Sequence, residues 1–526
     1  MFALSPLSFG AKPGNIRVML AQIHSVALNG IEGVPCEVEV DVASGGLEKI
    51  AIVGLPDAAV RESIDRVRTA MTNCGYRFPG VRMVINLAPA DMKKEGPAFD
   101  LPIALGLIFA DGQAQSAWLK DTAVVGELAL DGRVRPVKGM LPMALLARRK
   151  GIRRFIVPRD NAAEAAVVKD LEVYPVDSLA TALGVLTERL PLEPVLVDID
   201  ELFQNLCRYE IDFAEVKGQE SAKRALTIAA AGHHNVLMVG PPGAGKTMLA
   251  KRVPTILPPL TLQEALETTR IYSSAGLMDG RPLLAKRPWR TPHHSTSGPA
   301  LIGGGSVPQP GELSLSHHGV LFLDEFPEFP RHVLETIRQP LEDGRVTVAR
   351  VHSAVNFPAR IMLLAAMNPC PCGYLGDPKR TCNCTPRRVE RYFGRISGPL
   401  LDRIDMHLEI PAVGWRELAD GRDGTDSASM REQVVRARGV QQERFGEEAT
   451  TTNASMSSAQ LKKYCPLTDG CLRLLRQAIT ELGFSARAYD KIRRLARTIA
   501  DLEGGEPIRE PHVSEAIHYR VFDRAR

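Results

Sequence analysis

Residues 240–247 read Gly240-Pro241-Pro242-Gly243-Ala244-Gly245-Lys246-Thr247 and follow a short apolar run, Asn235 to Val239. Few sequence features narrow a fold as far. The G-x4-G-K-T spacing lets the backbone curl until its N–H groups face one point. The helix expected to begin there adds the positive end of its dipole. Such a cradle takes a triphosphate, ATP or a relative: Lys246 is placed to reach the β- and γ-phosphates, and the Thr247 hydroxyl to ligate Mg2+. A strand feeding such a loop belongs to a buried parallel α/β sheet, whose other strands should also read as continuous apolar runs. Gly319 to Glu325 (GVLFLDE) is one, and it ends in two acids. Asp324 is placed to hold hydrated Mg2+ and Glu325 to polarise an attacking water. Ile361 to Met367 is another and ends at Asn368. Asn368 can orient that water, although a strand-capping Asn fits the same local pattern.

The rest of the chain has to house this site. Its 526 residues correspond to three or so domains, each long enough to bury a core. Lys and Arg number 65 against 61 Asp and Glu, a balance too mild to argue for a nucleic-acid partner, so local clusters matter more. No apolar run of about 18 residues occurs, so no membrane span is expected. Met1 to Ile23 lacks the pattern of a secretory leader. Nine cysteines, an odd number and partly scattered, fit a reducing cytoplasm better than a disulfide framework.

Three regions are expected. Residues 1–190 alternate strands and helices: strands at Val18 to Ala27, Val38 to Val42, Arg82 to Asn86 and Ala123 to Leu130, and helices at Pro56 to Cys74, Leu101 to Ala110 and 141–150. Asp131-Gly132 signals a hairpin turn. Residues 191–212 read as a linker, 213–412 as the nucleotide-binding core, and 430–526 as helical, with Glu447 to Ser458 as a loop.

Cys370, Cys372, Cys382 and Cys384 form C-x-C-x9-C-x-C. Four thiolates so close can hold a tetrahedral Zn2+, while a reduced thiol cluster is the other reading. Lys379, Arg380, Arg387, Arg388 and Arg391 give this segment a basic edge suited to DNA phosphates or to solvent. The paired histidines at 233–234, 293–294 and 317–318 lack metal-ligand spacing and read as polar loop residues.

Longer strings carry a family resemblance: Thr291 to Gly305 (TPHHSTSGPALIGGG), Pro310 to Glu325 (PGELSLSHHGVLFLDE), Asn368 to Gly373 (NPCPCG) and Ile396 to Asp405 (ISGPLLDRID). With them the chain resembles AAA+ ATPases, and more narrowly the magnesium-chelatase-like group with its ComM/YifB-type proteins. The resemblance implies an AAA+ parallel-sheet core with a C-terminal helical lid, ATP and Mg2+ as cofactors, and a homo-hexameric ring. It makes Arg403 the arginine finger that completes a neighbour's site and Arg487 the sensor-2 arginine of the lid, while a surface ion pair or a solvated helix position accounts for each locally. It also implies a motor on single-stranded and branched DNA, promoting branch migration in natural transformation alongside recombination proteins. Channel loops are expected at Gly303-Gly304-Gly305 and within Leu341 to Phe357, where Asp343-Gly344 makes a turn and the later alternating residues make a hairpin. There Arg345, Arg350 and His352 can touch a threaded phosphate backbone, although a solvated hairpin fits as well.

Residues 82–154 resemble the Lon protease domain, through Gly126-Glu127-Leu128 and Gly132 to Val137 (GRVRPV). That family needs a Ser nucleophile and a Lys base. Here Ala98 follows Lys94-Glu95-Gly96-Pro97 in the Ser position, and the Lys position falls near Leu141, with Lys138 close by. Peptidase activity is therefore not expected; the surviving fold suits DNA binding or building the ring, and Arg148, Arg149, Lys150, Arg153 and Arg154 offer one candidate basic face. The competing readings are a chelatase ATPase subunit, a protease and an ATP-switched scaffold.

Overall fold

A β-sheet covered by helices organises each part of the chain, mixed in the first and parallel in the second. The computed structural model describes residues 20–206, 209–305, 308–350, 353–377, 380–414, 424–446, 451–505 and 507–520. It forms two units, Met1–Gln204 with Ala265–Leu284, and Asn205–Glu264 with Ala285–Arg526.

The first unit holds a seven-stranded mixed sheet, in the order Lys49–Val53, Arg82–Ala88, Glu32–Val42, Leu20–Asn29, Thr122–Val124, Arg154–Pro158, Glu172–Val176. The two long strands Leu20–Asn29 and Glu32–Val42 alternate buried and exposed positions, as strands covered on one face do. Helix Asp100–Ala110 is buried along its whole length. Its one charge, Asp100, is paired with Arg66 at 2.7 Å, and burying it unpaired would cost several kcal/mol. The run Ala123 to Leu130, expected as one strand, is two: Thr122–Val124 and Glu127–Leu128. Gly126 sits at the break, where a Cβ would lie 2.9 Å from a Val134 methyl. The second piece forms a hairpin with Val134–Arg135 around Asp131-Gly132. Ala265–Leu284 joins this unit, and Gly139 donates its N–H to the Ser273 carbonyl at 2.9 Å.

The second unit is built on a five-stranded parallel sheet, ordered Trp289–Arg290, Val320–Leu323, Met362–Met367, Val236–Val239, Met406–Glu409. In chain order this is 2-3-4-1-5. The strand feeding the phosphate loop therefore lies between the fourth and fifth, where the order reverses and a crevice opens beyond the carboxyl ends. The three strands with the site residues at their ends are buried throughout, which explains their unbroken apolar character. Helices Ser427–Phe445, Asp469–Leu482, Ala486–Leu502 and Glu510–His518 form the C-terminal part. Asp501 anchors them, accepting from Arg444, Arg497 and Asn453. Lys491 reaches Asp405 at 2.8 Å and ties the same helices to the sheet.

One local expectation changes. Gly303–Gly304 is a short strand paired with Gln309–Pro310 rather than a loop tip. Gly303 has φ 102°, and a Cβ there would meet the Gln309 carbonyl at 2.5 Å, so close pairing explains the glycine. Asp343-Gly344 makes its expected turn as a helix end: Gly344, at φ 64°, closes helix Arg338–Asp343, and the expected hairpin follows as strands Arg345–Arg350 and Ser353–Pro358. The Arg350 side chain, His352, Lys379 and residues 447–450 lie outside the described residues.

Candidate nucleotide site

A cavity of about 690 Å³ opens at the carboxyl ends of the second unit's strands, lined by the phosphate loop, Thr291 to His294, Asp324, Glu325 and Asn368. Gly243 (φ 79°) and Gly245 (φ 84°) take backbone conformations that other residues reach only with strain. Gly245 caps helix Lys246–Ile256, which aims its N-terminus at the cavity. Gly240 is required by a close approach, since a Cβ there would lie 2.2 Å from the Ile410 carbonyl.

The Lys246 ammonium donates to the carbonyls of Gly240 (2.7 Å) and Pro241 (3.0 Å) and to Asn368 Oδ1 (3.1 Å). Burial lowers its pKa, against the pull of Asp324. The Thr247 hydroxyl donates to Asp324 Oδ2 at 2.7 Å, giving a pair of hard oxygens fit for Mg2+. Glu325 has a left-handed backbone, φ 51°, and donates its N–H to Asp324 Oδ1. Such strain in a non-glycine residue is typical of functional sites. Lys246, Thr247, Asp324, Glu325 and Asn368 thus converge on one cavity.

Two further residues belong to this site and were not read from the sequence. His294 Nδ1 stands 3.0 Å from Glu325 Oε2. Gln219, at φ 55°, donates to the Ala244 carbonyl at 2.7 Å and braces the phosphate loop. The pairing of His294 has no local signal, whereas the Gly218-Gln219-Glu220 string ahead of helix Glu220–Gly232 is a visible helix start.

Arg403 and Arg487 do not line the cavity. Arg403 pairs with Glu342 at 2.6 Å and donates to the Pro399 carbonyl, so neither adjacent acid, Asp402 nor Asp405, is its partner. Arg487 is exposed in the first turn of helix Ala486–Leu502.

The paired histidines lie in loops and turns as expected, but two of the pairs are not simply solvent-facing. His234, His317 and His318 are buried. His234 shares a 2.8 Å hydrogen bond with Thr498, and burial pushes its pKa down to about 4. The basic face of the first unit is also largely neutralised. Arg148 pairs with Asp170, Arg149 with Glu32, Arg153 with Glu172 and Arg154 with Asp121. Arg345, Arg387, Arg388 and Arg391 in the second unit remain exposed.

The four cysteine sulfurs lie within 4.8 Å of one another. The backbone N–H of Tyr374 donates to Cys372 and holds its thiol down at about 6. In the first unit, Ala98 is buried in the turn Pro97–Phe99. Leu141 is wholly buried, with its backbone N–H on Glu164 at 2.9 Å. A hydroxyl nucleophile and an amine base are both missing from these positions. Lys94 is also buried, its ammonium on the Met92 carbonyl at 2.9 Å.

A phosphate loop feeding a 2-3-4-1-5 parallel sheet, with two acids and an asparagine at neighbouring strand ends and a helical segment behind, defines a AAA+-type nucleotide-binding protein. The family model described as magnesium chelatase, subunit ChlI, matches residues 212–418, its C-terminal counterpart 424–520, and a further ChlI model 38–161. Competence protein ComM of Haemophilus influenzae is 43% identical over 96% of this chain and 98% of its own. YifB of Salmonella typhimurium is 42% identical over the same shares. The chain belongs to the magnesium-chelatase-like ComM/YifB family. That family points to an ATPase working with ATP and Mg2+. A Lon protease of Chloroflexus aggregans is 29% identical over 28% of this chain and 19% of its own, a partial likeness in keeping with the N-terminal region. Among the described residues no helix is long and apolar enough to cross a membrane.

Proposed function

We propose that this protein hydrolyses ATP as a hexameric ring and uses the cycle to move DNA, driving branch migration of recombination intermediates during competence. The observation that carries the ATPase part is the convergence of Lys246, Thr247, Asp324, Glu325 and Asn368 on one cavity. In this reading Lys246 holds the β- and γ-phosphates, and Thr247 and Asp324 hold Mg2+. Glu325 takes the proton of the attacking water, and Asn368 orients that water. Arg403 lies away from its own chain's cavity, which fits a role in a neighbour's site and hence a ring. Arg487 would act from the lid. The exposed Arg345, Arg387, Arg388 and Arg391 supply cations for phosphates. The competence role rests on similarity to ComM along nearly the whole of both chains. ATP-dependent dissociation of a synthetic four-way junction, with Lys246→Ala as control, tests the motor. Junctions left intact by the wild type, or equal activity in the control, would refute it.

A second reading is favoured by the models that match: all three are named for magnesium-chelatase subunit ChlI. A chelatase ATPase would hydrolyse ATP at the same residues and drive metal insertion into a porphyrin. Tight binding of branched DNA, with no stimulation of chelation in a reconstituted assay, decides for the DNA motor.

A further inference from the structure

We propose that Cys370, Cys372, Cys382 and Cys384 hold one Zn2+, and that this ion is a joint between the nucleotide cavity and the basic helix Pro386–Phe393, so that ATP turnover depends on it.

The sulfur geometry points to the ion. Cys370 and Cys372 are 3.3 Å apart, Cys370 and Cys382 3.7 Å, and Cys372 and Cys382 3.6 Å. A tetrahedron of thiolates around Zn2+, with Zn–S near 2.3 Å, has edges of about 3.8 Å. These sulfurs therefore already stand close to the separation a single ion imposes. They are too far apart for disulfide bonds, and all four are free cysteines. Four soft donors with no carboxylate or imidazole among them select Zn2+ over Mg2+ or Ca2+. The backbone is shaped to the same end. Gly373 (φ 85°) donates its N–H to the Cys370 carbonyl at 2.9 Å and turns the first pair, and the Cys384 N–H donates to Cys382 Sγ at 3.4 Å. N–H groups directed at ligating sulfurs are the usual outer support of such a site.

The surroundings make the ion a joint. Cys370 follows Asn368 by two residues, and Asn368 Oδ1 accepts from Lys246. A Cβ on Gly373 would lie 2.6 Å from Pro242 Cδ, so the cysteine loop rests directly on the phosphate loop. On the other side Cys384 leads into Thr385, which starts helix Pro386–Phe393. That helix exposes Arg387, Arg388 and Arg391. Its Tyr392 side chain is buried, with the Asn368 backbone among the groups that act on its hydroxyl. One ion thus fixes the spacing of a cationic helix, the water-orienting asparagine and the phosphate loop. The coupling rests on the ATPase reading above, whereas the metal site does not.

The test uses the full-length chain purified under reducing conditions. Inductively coupled plasma mass spectrometry should find one Zn2+ per chain. Stripping with a chelator that spares Mg2+ (TPEN) should lower the ATPase rate about tenfold, and one equivalent of Zn2+ should restore it. Cys382→Ser with Cys384→Ser should remove the zinc and the rate together. Reversible stripping of the wild type serves as the second arm should that variant fold poorly. Wild-type protein without bound zinc, or with iron in its place, overturns the site. Stripped protein that hydrolyses ATP at the zinc-loaded rate overturns the joint. An absence of ATPase activity in zinc-loaded wild type would instead refute the proposed function and leave the zinc count standing.

Discussion

The two units use related architecture to opposite ends. In the second, three fully buried parallel strands end together in two acids, an asparagine and a glycine-built loop, and the polar groups meet in one cavity. In the first, the corresponding investment is in packing. Helix Asp100–Ala110 is apolar and sealed, and the positions where a Lon-type dyad would stand hold Ala98 and Leu141, both buried. An α/β unit keeps its fold while losing chemistry, because the fold needs only apolar side chains facing inwards, whereas a site needs particular atoms at strand ends. If that contrast is right, every residue whose loss stops ATP turnover lies in the second unit.

The largest expected effect comes from Lys246→Ala, which removes the cation at the centre of the cavity. ATP hydrolysis should fall about a thousandfold, to background in a phosphate-release assay. Turnover surviving within tenfold of wild type would place the chemistry elsewhere. Glu325→Gln sharpens the comparison next. The amide cannot accept a proton, so the rate should drop about 10²- to 10³-fold while ATP still binds. Isothermal titration with ATP and Mg2+ separates the two effects, and loss of binding would recast Glu325 as a structural residue.

Acid should divide the units too. His234 titrates at about 4 in the folded chain, against an ordinary 6.5. Below pH 6.5 the unfolded chain takes up a proton that the folded one refuses, so the second unit loses stability as pH falls from 6.5 towards 4. The full shift is worth about 3 kcal/mol. Asp405 adds to the trend: burial would raise its pKa, but Lys491 and His234 hold it below the ordinary carboxylate range, so its contribution is lost at still lower pH. In the first unit burial raises Asp100 and Glu164, and the sign reverses, since their folded forms bind protons more readily than the unfolded chain. Hydrogen exchange followed by mass spectrometry at pH 7 and pH 5 should show the second unit loosening first, and His234→Gln should blunt that response. Equal loosening of both units would break the contrast.

What could be read without coordinates follows the same division. The phosphate loop, Asp324, Glu325 and Asn368 were visible because each sits at the end of a short apolar run, where local pattern and function coincide. His294 was not, because its partner Glu325 is brought to it only when strand Trp289–Arg290 pairs with Val320–Leu323. The ion pair of Arg403 with Glu342 and the burial of His234 under Thr498 are likewise long-range events. The glycines at 303–305 misled because glycine marks both flexible tips and tight strand contacts. In the first unit the neutralising partners of Arg148, Arg153 and Arg154 come from other strands and turns. A run of cations in sequence therefore overstated the charge that reaches the surface.

The smallest expected effect is the most pointed. Ala98→Ser restores a hydroxyl where a Lon-type nucleophile would stand, yet it should produce no peptidase activity on casein or fluorogenic peptides. A serine hydroxyl attacks a peptide only when a base takes its proton. Residue 141, where that base would sit, is a leucine with no exposed surface, and its backbone is held by Glu164 and Ser273. The hydroxyl itself would sit in the turn Pro97–Phe99, where the Ala98 carbonyl already accepts the Gly126 N–H at 2.9 Å. Adding Leu141→Lys should not repair the dyad cheaply. It would bury an ammonium among Leu, Met and Ala side chains, and the first unit should lose several kcal/mol of stability, read as a lower unfolding midpoint. Cleavage by the single variant would mean that another amine serves as base. Lys94, also buried and four residues from Ala98, would be the one to replace next.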